Sequence, residues 1–156
     1  MIALADLKGL TEEQVISHLV ENYSGKRYGH KEYFSSEAEA ILNKYDQILA
    51  YEKVESEKLK DMQVLIAYES VGESGCDSES FFLLRSKADG SLYEIHGSHC
   101  SCYGFEGQLD LEPTDIKSLK YRAINADVFY AGCCDDDETE NQRIVNEYVL
   151  SMELPN

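Results

Sequence analysis

The chain has 156 residues, with 30 acidic against 14 basic side chains, which gives a formal net charge of -16. The negative electrostatic field of such a chain repels the phosphates of nucleic acids and membrane headgroups and attracts basic surfaces. Direct binding of DNA, RNA or membranes is therefore not expected. The length fits a single domain over residues 1–156 that buries roughly two thirds of its unfolded surface.

The start of the chain meets charged residues at once, so no export signal is expected. No run reaches the roughly 18 apolar residues of a membrane span. The five cysteines are an odd number, and without export they are expected to be reduced thiols. The cytoplasm is therefore the predicted location.

The first predicted element is a helix in the segment TEEQVISHLVENY. Thr11 and Gln14 have the spacing of a capping box, and the apolar residues that follow share one face of a helix. His18 lies between those apolar positions and is expected on the helix surface. The apolar positions are Val15, Ile16, Leu19 and Val20.

Three further helices are predicted from similar signals. Ser36 and Glu39 repeat the capping signature before an apolar stripe that reaches about residue 53. Thr114 is a plausible N-cap for the next helix. Thr139 and Gln142 form another capping box, which predicts a last helix near the C-terminus.

The strands are predicted between the second and third helices. MQVLIAYES is apolar and rich in residues that favour strands, and SFFLLRSKADGSLYEIHG reads as two strands joined at Asp89-Gly90, a strong hairpin dipeptide. ADVFYAG indicates a short extra strand. The sequence thus predicts an α+β fold, in which a three- to four-stranded antiparallel sheet is flanked by about four helices, packed on one face.

The segment EIHGSHCSCYGFEGQ concentrates soft metal ligands on a glycine-rich backbone. Zinc needs about four thiolate, imidazole or carboxylate ligands, usually from two spaced cysteine pairs. The spacing here is less regular, so two interpretations stay open: no cofactor, with the thiols acting as small apolar groups, or a zinc ion. In either case we interpret the loop as a turn that defines the fold. The candidate zinc ligands are His99, Cys100, Cys102 and Cys133.

Nucleophilic catalysis by the same loop is a further alternative, because a thiolate beside an imidazole is the minimal activated pair. The neighbouring acids Glu94 and Glu106 would raise the pKa of a thiol. The sequence also shows neither a third group that orients the base nor a pocket. We therefore predict that the protein is not an enzyme.

The segment LYEIHGSHCSCYGFEGQLDLEPTDIKSLKYR, over residues 92–122, resembles one found in small, largely uncharacterised proteins of bacteriophages and prophages. Those proteins typically run G-x-L-Y-E-V-N-G-S-H-C-S-C-Y-G-L-E-G-Q-W-E-P-E-E-T into a helix. This chain departs from the pattern at Leu109, where the family usually has tryptophan, and in the added segment GCCDDDETEN with the last helix. The resemblance implies a mobile-element origin and a compact domain built around the loop, and it supplies no reaction.

Acidic side chains cluster near the C-terminus and beside the loop, where they are candidates for binding a basic partner. A cytoplasmic, acidic, phage-related protein fits an inhibitor of a bacterial defence complex, similar to anti-CRISPR proteins, whose carboxylates occupy a nucleic-acid groove. The predicted partner is a basic nucleic-acid-binding host protein or ribonucleoprotein complex. The predicted partner-binding residues are Asp135, Asp136, Asp137, Glu138, Glu140 and Glu147, with Glu106, Asp110 and Glu112 beside the loop.

Two alternatives accompany this hypothesis. The inhibitor could instead wedge aromatic side chains into its partner, since the chain holds eleven tyrosines. The two modes differ in their response to salt, because only carboxylate mimicry weakens steeply as ionic strength rises. A different class of function is a zinc-stabilised or thiol-dependent module.

Overall fold

A computed structural model describes residues 1–24, 55–72, 78–99, 104–130 and 136–154, and for residues 136–139 it describes the backbone alone. It confirms the α+β class. The sheet has five strands in the order β1-β2-β3-β4-β5 rather than three or four, and it is mixed, because β1 runs parallel to β2 while every other pair is antiparallel. The strands are β1 (Ile2–Ala5), β2 (Met62–Val71), β3 (Ser78–Ser86), β4 (Leu92–His99) and β5 (Glu112–Thr114).

The predicted meander of β2, β3 and β4 is confirmed. At the β3–β4 turn, Gly90 has a positive φ of 77°, a conformation that glycine adopts without steric cost. Its N–H donates to Ser86 O at 2.9 Å. The Ser91 N–H donates to Asp89 Oδ1 at 2.9 Å. The Asp-Gly dipeptide therefore sets this hairpin as its sequence predicts.

Strand β2 is buried on both faces of the sheet. Val64 and Ala67 belong to one apolar cluster and Leu65, Ile66 and Tyr68 to the other. The alternation breaks because the β2–β3 register shifts between Val64 and Ile66, as happens at a bulge. A strand buried on both sides reads as a continuous apolar run, which explains the composition of this segment.

Helices cover both faces of the sheet, so the prediction that they pack on one face is wrong. Helix α1 (Glu12–Tyr23) buries its apolar stripe in the first cluster. Helices α2 (Ile116–Asn125) and α3 (Asp136–Ser151) contribute to the second cluster on the other face. The physical reason is β2 itself, whose two apolar faces both need cover. A helical turn at 55–58 and a short 3-10 helix, Leu59–Asp61, lead into that strand.

The capping box of α1 forms as predicted, but the caps predicted at Thr114 and Thr139 do not. The Thr11 N–H donates to Gln14 Oε1 at 2.9 Å, and the Gln14 N–H donates to Thr11 Oγ1 at 3.2 Å. Helix α2 is capped by Asp115, which accepts from Ser118 N at 2.8 Å, because Thr114 is the last residue of β5.

Helix α3 begins before its predicted cap. Its first residue is Asp136, so Thr139 lies inside the first turns and the predicted Thr139–Gln142 box is wrong. An acidic start is favourable at the positive end of the helix dipole, and this preference extends the helix beyond the Thr139 signal.

The segment ADVFYAG forms no strand over residues 126–130. Val128 and Phe129 are instead buried in the second cluster. Their backbone is held by α3: Val128 N donates to Asn146 Oδ1 at 3.0 Å, and Gln142 Nε2 donates to Phe129 O at 3.0 Å. The apolar residues that predicted a strand here are buried, but they belong to an irregular connection between α2 and α3.

Two further predictions concern the second helix and the absence of a membrane span. The predicted helix after Ser36 falls within 25–54, outside the described residues. Among the helices that are described, none has both the length and the apolar character needed to cross a membrane.

Candidate functional site

The described part of the motif segment is organised around Tyr23, the last residue of α1. Gly97 on β4 has no room for a side chain, because a Cβ there would lie 2.4 Å from Ser80 Oγ and 2.9 Å from Phe105 Cδ1. The rings of Phe105 and Tyr23 stack with centroids 4.7 Å apart and planes at 9°. Glycine at position 97 therefore lets β4 pass directly against this aromatic pair.

The loop also caps the C-terminus of α1. Three successive N–H groups, from Gly107, Gln108 and Leu109, donate to the Tyr23 carbonyl at 3.1, 3.2 and 3.2 Å. Gly107 has a positive φ of 79°, which glycine supplies at little cost. The last carbonyls of a helix lack intrahelical partners, so the loop satisfies one of them.

Gln108 replaces a strand neighbour for the end of β4. Strand β5 pairs only with residues 92–94 of β4. Beyond it, Ser98 N donates to Gln108 Oε1 at 2.8 Å, while Gln108 Nε2 donates to Ser98 O at 2.7 Å and to Gly104 O at 3.1 Å. The glycines and the glutamine of the motif thus hold the fold together, in keeping with a turn that defines the fold.

The predicted zinc site lies mostly outside the described residues. Of its candidate ligands, only His99 is described; it is half-buried, and its ring meets Phe105 edge-on with centroids 4.4 Å apart. Cys100, Cys102 and Cys133 fall in the gaps at 100–103 and 131–135. Within the described ranges, no three His, Cys, Asp or Glu side chains stand close enough to hold a metal ion. Zinc binding therefore stays a prediction.

The acidic segment at the C-terminus is partly neutralised where its side chains are described. Glu140 and Glu147 are exposed on α3, and Arg143 lies between them. Arg143 Nη1 lies 2.6 Å from Glu147 Oε1, and Arg143 Nε lies 2.9 Å from Glu140 Oε2. This hydrogen bonding lowers the pKa of Glu140. Asp135 and the side chains of Asp136, Asp137 and Glu138 lie outside the description.

The predicted acids beside the loop are not equally placed. Glu106 is half-buried, whereas Asp110 and Glu112 are exposed. Glu112 belongs to the edge strand β5. The structure therefore brings Asp110 and Glu112 to the surface near one edge of the sheet, while α3 carries the other group on the α2 and α3 face.

A buried carboxylate, Glu69 of β2, links the sheet to α1. The Tyr23 hydroxyl donates to Glu69 Oε1, and His18 Nε2 lies 2.9 and 3.0 Å from the two carboxylate oxygens. Asn22 Nδ2 lies 3.1 Å from His18 Nδ1, so the neutral ring carries its proton on Nε2. His18 thus lines a surface depression of α1, but its side chain is only 25% exposed and is bonded to the sheet.

The ionisation of this group follows from its surroundings. The hydrogen bond to Glu69 raises the pKa of His18, and its desolvation opposes that rise only in part. Burial, followed by the charge of Glu69, raises the pKa of Tyr23 far above its usual range. The phenol therefore stays protonated and acts as a donor to Glu69, not as a base.

A second buried carboxylate, Glu94 of β4, links the sheet to α2. Arg122 Nη2 lies 2.6 Å from Glu94 Oε1, and His96 Nε2 lies 2.9 Å from the same oxygen. Burial alone would raise the pKa of Glu94, but hydrogen bonds from His96, Arg122 and Thr114 outweigh it and lower the pKa to about 2. This arrangement is an ion pair that fixes α2 to the sheet.

Neither carboxylate group was identified from the sequence. Glu69 lies 46 residues from Tyr23 and 51 from His18 along the chain, and Glu94 lies 28 residues from Arg122. One usable signal was a glutamate within an otherwise apolar strand segment, since a buried charge implies a partner.

A scan of protein-family models, a search of curated proteins and a search of solved structures each returned no match for this chain.

Proposed function

We propose that the protein is a phage-encoded acidic inhibitor that acts in the cytoplasm of an infected bacterium and binds a basic nucleic-acid-binding defence complex. The net charge of -16 supports attraction to such a surface. The observation that carries the proposal is the exposed face of α1, which has carboxylates and no lysine or arginine.

The acids of α1 are less compensated than those of α3. Glu13 and Glu21 are exposed, and no lysine or arginine within the described ranges forms an ion pair with either. They border a shallow depression of about 390 Å³ on the outer side of the helix. The residues lining it are Leu10, Glu13, Gln14, Ser17, His18 and Glu21.

Helix α3 offers a weaker version of the same feature. Arg143 already bonds both Glu140 and Glu147, so a basic partner there would have to compete with an internal cation. Exposed pairs of this kind contribute little to stability, and the partner can displace Arg143. The predicted acids of α3 and of the loop are therefore further candidate contacts. Because α3 lies on the opposite face of the sheet from α1, the proposal takes α1 as the primary surface.

The mechanism is competition for the cations of a nucleic-acid groove. Arginine pairs with a carboxylate in the same two-pronged geometry that it uses for phosphate. A groove that draws its affinity from neutralising phosphates is open to any rigid body that presents carboxylates. The depression on α1 is concave and bordered by carboxylates, so it can bind one guanidinium group of the partner.

The experiment begins with capture of the defence complex from the bacterial host on the immobilised full-length protein. Captured protein is then tested for binding of labelled duplex DNA and of RNA with and without the inhibitor. We expect competition that weakens steeply between about 50 and 200 mM salt. Capture of proteins whose nucleic-acid binding is unaffected would contradict the proposal.

Charge reversal locates the surface. Glu13→Lys/Glu21→Lys is expected to weaken binding about tenfold or more, because two favourable contacts become repulsive. Glu140→Lys/Glu147→Lys makes the same change in net charge and should weaken binding less. Equal losses would indicate a response to total charge alone, and salt-independent binding would favour the aromatic wedge.

A further inference from the structure

His18 connects the depression on α1 with the buried carboxylate of Glu69. Its side chain lines the depression together with Glu13 and Glu21 and is 25% exposed. Its Nε2 lies 2.9 and 3.0 Å from the two carboxylate oxygens of Glu69, whose side chain is only 7% exposed. A change in the charge of this ring therefore acts at the surface proposed for the basic partner, while the ring stays bonded to the sheet.

The other ring nitrogen of His18 faces a hydrogen-bond donor. Asn22 Nδ2 lies 3.1 Å from His18 Nδ1 and 3.0 Å from the carbonyl oxygen of His18. An amide nitrogen has two hydrogens and can donate to both acceptors, so this arrangement fits a neutral ring. A second proton on Nδ1 would place donor against donor. Turning Oδ1 of Asn22 to the same place would set it against the His18 carbonyl oxygen, so protonation costs both Asn22 hydrogen bonds.

The charged groups around the ring are carboxylates. Glu69 faces it from β2, Glu21 lies three positions further along α1, and Glu13 shares the depression. The remaining titratable neighbour is Tyr23, a protonated phenol that donates to Glu69. No lysine or arginine of the described ranges lines the depression. The hydrogen bond to Glu69, together with the charges of Glu69 and Glu21, raises the pKa of His18 against the effect of its burial.

We propose that the protonation state of His18 regulates the binding of basic groups at the depression on α1. This inference rests on the proposed function, because it concerns the same surface. With a neutral ring, the depression presents the carboxylates of Glu13 and Glu21 alone. With a protonated ring, a guanidinium group of the partner has to approach a like charge. The surface therefore binds a basic partner more tightly when His18 is neutral.

Stability and binding should respond to pH in opposite directions. The contribution of His18 to stability is fully present below about pH 6.5 and is lost as pH rises through the folded pKa, because that pKa is raised. Binding instead weakens as pH falls over the same interval, because the positive charge then lies in the depression. A general loss of structure would lower stability and binding together, so the opposite signs identify the switch.

The test follows α1 by NMR in the isolated full-length chain at low salt. An N-acetylated oligoarginine peptide is the probe, since its guanidinium groups stay charged throughout. Its affinity is read from the backbone amide shifts of Glu12–Tyr23 at about pH 6 and about pH 8.5, on either side of the His18 titration. We expect about fivefold weaker binding at the lower pH, the effect of one like charge near a protein surface. Equal affinity at the two pH values would overturn the proposal.

Reciprocity gives a second readout from the same samples. If protonation weakens binding about fivefold, saturating peptide lowers the midpoint of the His18 ring titration by about 0.7 pH unit, because the coupling acts equally in both directions. A midpoint that the peptide leaves unchanged would show that the ring and the bound cation do not interact, and the proposal would fail.

Two histidine variants locate the effect. His18→Gln keeps an N–H donor for Glu69 but cannot gain a charge, so its affinities at the two pH values should be nearly equal. His96→Gln is the matched change at the histidine bonded to Glu94, and it should keep the wild-type ratio. Retention of the ratio in His18→Gln, or its loss in His96→Gln, would contradict the assignment. Thermal unfolding of both variants checks that the fold is kept.

Asn22→Ala tests the donor that opposes the second proton. Its removal should raise the midpoint of the His18 titration by about half a pH unit, the equivalent of one modest hydrogen bond. The pH dependence of peptide binding should move by the same amount. A midpoint that is unchanged or lowered in Asn22→Ala would overturn the part assigned to this residue.

These readouts need no host protein, so they can be separated from the capture experiment. A pH-dependent depression without capture of a defence complex would support the switch and contradict the proposed function. A captured complex whose binding has the same affinity in wild type and His18→Gln at both pH values would support the function and overturn the switch.

Discussion

Glu69 and Glu94 are both nearly buried glutamates of the central sheet, one bonded to α1 and the other to α2, and each accepts a hydrogen bond from a histidine. They differ in the partner that accompanies the histidine. Glu69 has the neutral, buried hydroxyl of Tyr23, whereas Glu94 has the guanidinium of Arg122.

The comparison shows two ways to keep a carboxylate inside a sheet. The permanent charge of Arg122 keeps Glu94 ionised even at acidic pH. The side chain of Arg122 remains 33% exposed, so water still solvates part of the ion pair and lowers the cost of burying it. The Glu69 group depends on a titrating histidine and a phenol that has no access to water. The Glu69 group therefore depends more closely on its partners than the Glu94 group does. We expect substitutions in the Glu69 group to lower the free energy of unfolding more.

The largest effect is expected from filling the space beside Tyr23. Gly97→Val would place side-chain atoms against Ser80, Phe105 and Tyr23, and overpacking at such a site costs about 3 kcal/mol. Denaturant unfolding measures the loss. The adjacent change Ser98→Val, at an exposed position, should stay within about 0.5 kcal/mol. Equal stability of the two variants would contradict the close packing described.

Removing the two carboxylates compares the two faces directly. Glu69→Ala leaves the buried Tyr23 hydroxyl without its acceptor, which costs about 2 kcal/mol. Glu94→Ala should cost about 1 kcal/mol, because Arg122 and His96 can turn toward water. The loss from Glu69→Ala should shrink in a Tyr23→Phe background, where no hydroxyl is stranded. A larger loss from Glu94→Ala would reverse the comparison.

Acid should act on the Glu94 side. Its pKa is lowered to about 2, so its contribution is fully present above the ordinary glutamate pKa of about 4.3 and is lost as pH falls toward 2. Glu94→Gln removes this dependence, and its unfolding free energy should converge on that of the wild type near pH 2. Glu13→Gln, at an exposed carboxylate of α1 that forms no ion pair with a lysine or arginine of the described ranges, is the matched control and should keep the wild-type profile.

Alkali should act, more weakly, on the Glu69 side. The pKa of His18 is raised, so its contribution is fully present below about pH 6.5 and is lost as pH rises through the folded value. His18→Gln should remove the loss of stability that the wild type shows as pH rises above about 6.5. An NMR titration of His18 should show a lower pKa in Glu21→Gln, because the Glu21 charge raises it. An unshifted titration would sink this assignment.

Local signals predicted much of the fold. The Thr11 box, the Asp89-Gly90 turn and the apolar runs of β2, β3 and β4 each act through neighbours in the chain, and each is confirmed. The caps at Thr114 and Thr139 failed because neighbouring positions compete: Asp115 is a better acceptor, and Thr114 is held in β5.

The candidate sites were less predictable from the sequence than the fold. The predicted acids whose side chains are described are exposed, except for the half-buried Glu106. Their number did not reveal that Arg143 bonds two of them or that α1 carries the less compensated pair. The motif glycines and Gln108 were recognised as a turn, yet their target, Tyr23, belongs to a helix more than seventy residues earlier in the printed sequence.

By itself, the sequence determined the class of fold, the meander, the first helix and the acidic character, because these follow from hydrogen bonding between near neighbours, from side-chain periodicity and from composition. Only the tertiary structure decided that β1 joins β2 in parallel, that helices cover both faces, and that Glu69 and Glu94 acquire their partners. Such contacts join residues far apart in the chain, and periodicity within a segment carries no record of which distant segment will cover it.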